Sequence, residues 1–313
     1  MDTLVQPAVA RPEAAVAEPC RQCGSRRLTD QGPLPPRGTF AGQSLDAPLD
    51  GGHLYSCENC SLTFRSPILT EEQYESLYSR LPATVWVRSD PRADQLHVLD
   101  ALARYTPGGR VLDVGCYDGF LLSKLGAAYS KFGIEASVQA AEVAAGRGVN
   151  MIGQYISELG QVPESFDAIT CVDVIEHVAK PLDLLRALKS KLKPGGCLLV
   201  STGDSSAMAW RWLGGHFWYC ANLEHLSFIN RAWCEKAAAS EGLTLAEVTH
   251  FRYDYDAGGA LASYAKLLYE VAGMFALSTA SRLGIAPVTH KRGVGRQGLF
   301  KDHLVAVFRK PVD

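Results

Sequence analysis

Several things are scarce in this chain of 313 residues. It contains no run of about 18 uncharged apolar residues, so no membrane-spanning helix is expected. Positive charge is not in excess, since 31 Lys and Arg stand against 33 Asp and Glu for a formal net charge of -2. With no long basic run, that balance gives no electrostatic reason to expect a nucleic-acid partner. The opening MDTLVQPAVARPEAAVAEP lacks the basic segment and apolar core of an export signal, and a cytoplasmic location is expected. It also has too few bulky apolar residues to order itself, so residues 1–18 are expected to be a disordered tail. What is present, 47% hydrophobic residues over this length, can bury one full core with a smaller module beside it.

Cysteine is distributed unevenly. Cys20, Cys23, Cys57 and Cys60 form two CxxC pairs, CRQC and CENC. Without an export signal that spacing favours a metal over disulfides. Two such pairs complete the closed tetrahedral shell of a structural zinc. His53 could replace one thiolate, and a redox pair or scattered buried thiols are the alternatives. With every position filled by protein, the zinc offers no open site for catalysis. Its role is to hold residues 19–66, a module too small to fold on its own core. Cys116, Cys171, Cys197, Cys220 and Cys234 sit singly among apolar residues, and small-hydrophobe packing accounts for their side chains.

Residues 67–106 read as a helical connector. ILTEEQYESLYSRL begins a helix at Thr70, and ADQLHVLDALARY is a second helix with Leu96, Leu99, Leu102 and Ala103 on its apolar face, stopped by Pro107, Gly108 and Gly109. From residue 107 strands and helices alternate. KFGIE (131–135), FDAITCV and CLLVST (197–202) are strands, while SVQAAEVAAGRG and PLDLLRALKSKLKPGG are helices. NRAWCEKAAASEGL is a later helix, and TLAEVTHFRY (244–253) and DHLVAVFRK (302–309) are the last strands. The alternation predicts an α/β fold with a doubly wound, mostly parallel sheet. Between the last two strands, residues 258–298 form an apolar helical insertion interrupted by Lys266, Glu270 and Arg282. Three roles are open to it: capping an acceptor site, pairing two chains as a homodimer, or resting on a membrane surface that presents a lipid-linked glycan.

The stretch VLDVGCYDGFLL (111–122) reads as strand, glycine turn and helix, a ligand-binding crevice at the carboxyl end of a parallel strand. Dinucleotide sites use GxGxxG, whereas this turn is Gly115-Cys116-Tyr117-Asp118-Gly119 directly after Asp113. Glu135, about twenty positions on, ends the next strand, where a carboxylate can accept from both ribose hydroxyls. An adenosine is supported; a pyrophosphate is not.

These residues resemble the class I S-adenosylmethionine-dependent methyltransferases over about residues 95–205. VLDVGCYDG is similar to the family's first motif, GIEAS to its second, FDAITCVDVIEHV to its central acidic motif, and LKPGGCLLVST to the helix, turn and strand that follow. The resemblance implies a seven-stranded sheet closed by an antiparallel hairpin, with S-adenosyl-L-methionine as cofactor. It places Asp113, Gly115, Cys116 and Gly119 around the cofactor's amino-acid end, Glu135 at the ribose, and Asp173 of the central motif on the cofactor side. Two departures stand out. Tyr117 occupies a position where the family most often has glycine; a bulky residue resists positive φ, so either the turn differs locally or the ring covers the pocket mouth. MIGQYISELG (151–160), where the family contacts adenine, lacks an acidic residue right after the strand, leaving Gln154 or a backbone amide.

The acceptor side is expected in residues 203–230, an aromatic lid that contains Trp210, Trp212 and Trp218. Packing is the favoured role of these rings over substrate stacking. Gly214 and Gly215 could hinge the lid before His216, and His177 is expected to bond backbone. Glu224-His225 supplies an imidazole base near neutral pKa, with a neighbouring carboxylate to tune or orient it. EHLSF resembles the EHLSY-type segment of zinc-bearing sugar methyltransferases, whose Glu-His pair lies at the active site. The carbon-methylating members carry Tyr-His before that pair, whereas this chain has Asn222-Leu223. Oxygen methylation of a sugar, glycan-linked or other small hydroxyl acceptor is therefore expected. Carbon methylation of a sugar and a non-catalytic zinc- and cofactor-binding module are the alternatives.

Overall fold

The computed structural model describes residues 18–78, 92–163, 165–252 and 301–312, with separate positions between 261 and 275. The expected tail lies outside them except for Glu18. The expected insertion lies outside them too, except for those separate positions, which are helical.

The N-terminal strands are short and bounded by glycine and proline: β1 (Leu28–Pro33), β2 (Arg37–Phe40), β3 (Gln43–Leu49), β4 (His53–Cys57) and β5 (Thr63–Ser66). Helices α1 (Glu71–Tyr78) and α2 (Ala93–Tyr105) follow. Thr70 Oγ1 accepts from Gln73 N at 3.3 Å at the start of α1, where the sequence places a helix start. The alternating region gives β6 (Gly109–Val114), α3 (Phe120–Ser123), β7 (Tyr129–Ile134), α4 (Val138–Gly146), β8 (Asn150–Gly153), β9 (Phe166–Val172), α5 (Pro181–Ser190) and β10 (Leu192–Gly203). The chain continues through α6 (Met208–Leu213), β11 (Ser227–Phe228), α7 (Arg231–Glu241), β12 (Thr244–Phe251) and β13 (His303–Arg309).

The main sheet has the order β12-β13-β10-β9-β6-β7-β8. Strands β10, β9, β6, β7 and β8 pair in parallel, and β13 runs antiparallel to both β10 and β12. This is the expected doubly wound, seven-stranded sheet with its closing hairpin. Parallel strands are covered on both faces, which is why VLDV, ITCV and LLVS read as continuous apolar runs. One face packs Leu112, Val114, Ile169 and Val200 against α5 and α7; the other packs Val111, Ala168 and Leu199 against α2.

The α2 face differs from the expected one. Val98, Ala101 and Leu102 are buried together with Ala93 and Asp94, whereas Leu96 is 52% exposed. Asp94 lies on the buried face because Arg92 Nη2 pairs with its carboxylate at 2.8 Å, so a charge that argues against burial in sequence is neutralised locally.

Candidate functional site

The carboxyl ends of β6, β7, β9 and β10 converge on the glycine turn. Gly115 has φ +72°, and a Cβ there would stand 2.5 Å from Val174 Cγ2, so only glycine fits. Tyr117 corrects the expectation that a bulky residue refuses such a backbone: its φ is +48°. Its N–H donates to Glu135 Oε2 at 2.8 Å, which holds the conformation against a strain of about 1–2 kcal/mol. Glu135 Oε1 accepts from Ser137 N at 2.8 Å. The Ala136 N–H acts on the same carboxylate, which has about four lone-pair sites in all. Burial raises the Glu135 carboxyl, opposed by these N–H donors.

Asp113 is buried and accepts from Thr170 Oγ1 at 2.7 Å. Burial pushes its carboxyl up to about 7, against the opposing Thr170 hydrogen bond. Cys116 contributes backbone to the turn, its N–H donating to Ile134 O at 3.1 Å. Its thiol is turned into the core beneath Gly133, and burial raises it. Asp173 follows β9 at φ +51° and pairs with Arg92 Nη1 at 3.2 Å. Burial, then the nearby Asp94 charge, drives its carboxyl well above the usual range. Beyond β8, Gln154 N donates to Glu158 Oε2 at 2.8 Å and Gln154 Nε2 to Ala136 O at 2.9 Å. The acidic residue missing just after the strand is supplied four positions later by Glu158, which accepts from the Gln154 backbone amide. The buried Asp113 carboxyl, the glycine turn at Gly115 and the Glu135 carboxylate just past β7 fit a ligand with a cationic amino-acid end and a ribose.

His225 lies beside the ends of β9 and β10, 7% exposed. Its Nδ1 faces Tyr219 O at 2.9 Å, and its ring meets that of His177 edge-on with centroids 5.0 Å apart. Two expectations need correction here. Burial, then the neighbouring His177, lowers the His225 pKa well below its ordinary value instead of leaving it near neutrality. Glu224 is not among the main influences on that pKa. The Glu224 charge acts on Arg37 and Arg65, while Tyr219 O fixes the imidazole. His177 does bond backbone, Nδ1 facing Glu224 O at 3.0 Å. Between the histidines and the sheet, Glu176 accepts from Tyr219 Oη at 2.5 Å and from Thr202 Oγ1 at 2.9 Å.

Residues 89–248, just over half of the chain, match the family described as Methyltransferase domain. The chain belongs to the class I S-adenosylmethionine-dependent methyltransferases. It is 37% identical over 144 residues to a ubiquinone biosynthesis O-methyltransferase of Xanthomonas campestris pv. campestris, covering 38% of this chain and 56% of that protein. To the enzyme of the same name from Xanthomonas axonopodis pv. citri it is 32% identical over 195 residues, covering 55% and 81%. To the mitochondrial one of Schizosaccharomyces pombe it is 37% identical over 113 residues, covering 33% and 40%. The chain thus spans about half the length of most of these relatives. Among solved structures, N-methyltransferase NodS from Bradyrhizobium japonicum in complex with S-adenosyl-L-homocysteine aligns with TM-score 0.45 and 17% identity, covering 77% of this chain and all of NodS.

In this methyltransferase the four N-terminal cysteines also converge. Sγ of Cys20 and Cys60 are 3.6 Å apart and those of Cys23 and Cys57 3.5 Å, close to the separation of about 3.8 Å that four thiolates have around a tetrahedral zinc. All four lie within 4.8 Å of one another. Each CxxC turn ends in a left-handed residue, Gly24 or Ser61, which folds the chain back over its cysteines. Helix α7 clasps both turns: Trp233 Nε1 donates to Gln22 Oε1 at 3.0 Å, and Lys236 Nζ to Asn59 O at 2.7 Å.

The sequence kept the N-terminal module and residues 203–230 apart, but they share a sheet of order β1-β4-β5-β11. Strand β11, inside EHLSF, pairs antiparallel with β5. Trp210, Phe217 and Tyr219 are buried as packing rings, whereas Trp212 is 69% exposed. Gly215 is no hinge: a Cβ there would stand 2.6 Å from Pro33 O, so the glycine permits close contact with β1. Sequence reasoning missed Arg65, Glu176, Thr202 and Tyr219. Glu176 alone had a local signal, its place in DVIEHV.

Proposed function

We propose that this chain transfers a methyl group from S-adenosylmethionine to a hydroxyl of a small acceptor, a sugar, a glycan-linked compound or another hydroxyl compound. One observation carries the reading. His225 is a buried imidazole that follows the parallel strands, its Nδ1 faces Tyr219 O, and no hydrogen-bond partner meets its other ring nitrogen among the described residues. Relatives named as O-methyltransferases support oxygen as the acceptor atom.

S-adenosylmethionine, when bound, supplies an electrophilic methyl group on a sulfonium sulfur. This chain orients both partners and manages a proton. The Asp113 carboxylate holds the ammonium of the amino-acid end, the backbone of Gly115, Cys116 and Gly119 surrounds that end, and Asp173 borders it through Arg92. Glu135 accepts from the ribose hydroxyls. His225 takes the hydroxyl proton on its ring nitrogen opposite Nδ1, with the neighbouring Glu224 charge acting on Arg37. Cys20, Cys23, Cys57 and Cys60 hold one structural zinc.

The test is titration calorimetry with S-adenosylmethionine, followed by mass spectrometry of products from a panel of monosaccharide, glycoside and phenol acceptors. Glu135→Ala should weaken cofactor binding by about 2 kcal/mol, roughly 30-fold, by removing a charged acceptor from two hydroxyls. Unchanged affinity in that variant sinks the ribose assignment. Cofactor binding with no methylated product from any hydroxyl compound would favour the non-catalytic alternative.

A further inference from the structure

Glu176, His177 and His225 each place one potential ligand atom within 4.8 Å of the others. All three are held as metal ligands are held. His177 Nδ1 faces Glu224 O at 3.0 Å and His225 Nδ1 faces Tyr219 O at 2.9 Å. A neutral ring nitrogen opposite a carbonyl carries the proton, so the lone pair of each ring is on Nε2. Glu176 is 1% exposed and takes one hydroxyl donor on each oxygen, from Tyr219 and Thr202. No Lys or Arg lies within ion-pair distance of that carboxylate among the described residues. A buried carboxylate without a counter-charge is costly, and a cation relieves that cost. Two ligands at about 2.1 Å on opposite sides of a cation stand about 4.2 Å apart, inside the 4.8 Å that bounds these atoms. The half-buried His177 leaves one side of the cluster open.

We propose that Glu176, His177 and His225 bind a divalent cation, at a site separate from the four cysteines, whose remaining positions take an oxygen donor of the acceptor. Two imidazoles and one carboxylate, each oriented by an outer hydrogen bond, suit such an ion. The cation site stands on the geometry; use of its open positions by a hydroxyl acceptor rests on the function proposed above. With the cation bound, His225 is its ligand and the hydroxyl proton leaves to water. With the site empty, His225 receives that proton itself.

The test titrates the full chain, as purified, with Mn²⁺ and follows the electron paramagnetic resonance signal of the free ion. Mn²⁺ favours carboxylate over thiolate, so it leaves the cysteine cluster aside. The expected result is one Mn²⁺ per chain, bound at least about 10-fold more weakly after Glu176→Gln or His177→Ala. No saturable binding in the unaltered chain, or unchanged binding in the variants, overturns the site. Because the His177 ring is half-buried, His177→Ala carries the test even where Glu176→Gln fails to fold. A chain that binds no Mn²⁺ yet methylates hydroxyls loses the cation site alone; one that binds Mn²⁺ but no S-adenosylmethionine loses the function alone.

Discussion

Arg65 Nε, in the N-terminal module, donates to the main-chain oxygen of His225 at 3.2 Å across 160 positions of sequence. The same guanidinium reaches Gly51 O at 2.5 Å, Cys220 O at 2.6 Å and Asn222 O at 2.9 Å. Burial pulls its pKa down to about 10, so it remains charged at neutral pH. One fixed fork of donors therefore ties the module to the loop that carries the proposed base.

Arg65→Met should expose that dependence. It leaves four carbonyls without their donor, and with partial relaxation the loss is about 3–5 kcal/mol of stability. Arg65→Lys keeps the charge but cannot span the fan, so it should fall between the two. Denaturant midpoints measure both; a loss below about 1 kcal/mol for Arg65→Met would mean that the loop holds itself.

The zinc should matter to turnover as well as to folding, because β5 carries β11 and hence EHLSF. Elemental analysis should find one zinc per chain. Chelation, or Cys57→Ser, should melt the N-terminal sheet and abolish methyl transfer, while S-adenosylmethionine binding at β6 and β7 survives. Calorimetry and turnover on the same stripped sample separate the two effects. Full activity without zinc would refute the structural role.

With Asp113 as the ammonium's partner, cofactor binding should depend on pH. Its carboxyl is near 7 in the folded chain and at the ordinary 3.8 when unfolded. Between those values the folded chain holds a proton that the unfolded chain releases, so stability falls as pH rises through that window. Binding an ammonium requires the ionised form, so affinity for S-adenosylmethionine should rise with pH and level off above about 7. Calorimetry from pH 6 to 8 measures it, and Asp113→Asn should be weaker and flat. A rise that persists in Asp113→Asn would assign it to another group.

What could be foreseen followed the range of the interactions. The turn around Gly115 and the acid at Glu135 were legible because close approach and strand-end chemistry are specified within a few residues. The buried face of α2 was not, since Asp94 is made tolerable by Arg92 and the pattern of large apolar residues pointed to Leu96. Strand β11 has two residues and no periodicity to detect. Glu176 and Tyr219 are 43 positions apart, and nothing local to either announces their hydrogen bond.

His225→Ala is the decisive substitution for the chemistry. Burial holds the imidazole neutral in the folded chain, so it is in the proton-accepting form at every pH above its strongly lowered pKa. At saturating S-adenosylmethionine, which removes the Asp113 effect on affinity, turnover should therefore stay level as pH is lowered from 8 towards 6, where an ordinary histidine would begin to protonate at 6.5. The same depression has a cost in stability. The unfolded chain takes up a proton below 6.5 that the folded chain refuses, so the unaltered protein should lose more stability than His225→Ala as pH falls from 7 to 5. Removing a positioned base should lower turnover about 10²- to 10⁴-fold while leaving S-adenosylmethionine affinity almost intact. Exogenous imidazole should restore part of the rate if the cavity admits it. A variant that methylates its acceptor at near the unaltered rate from pH 6 to 9 would make His225 a packing residue of the loop held by Arg65. The proton would then have to leave by another group.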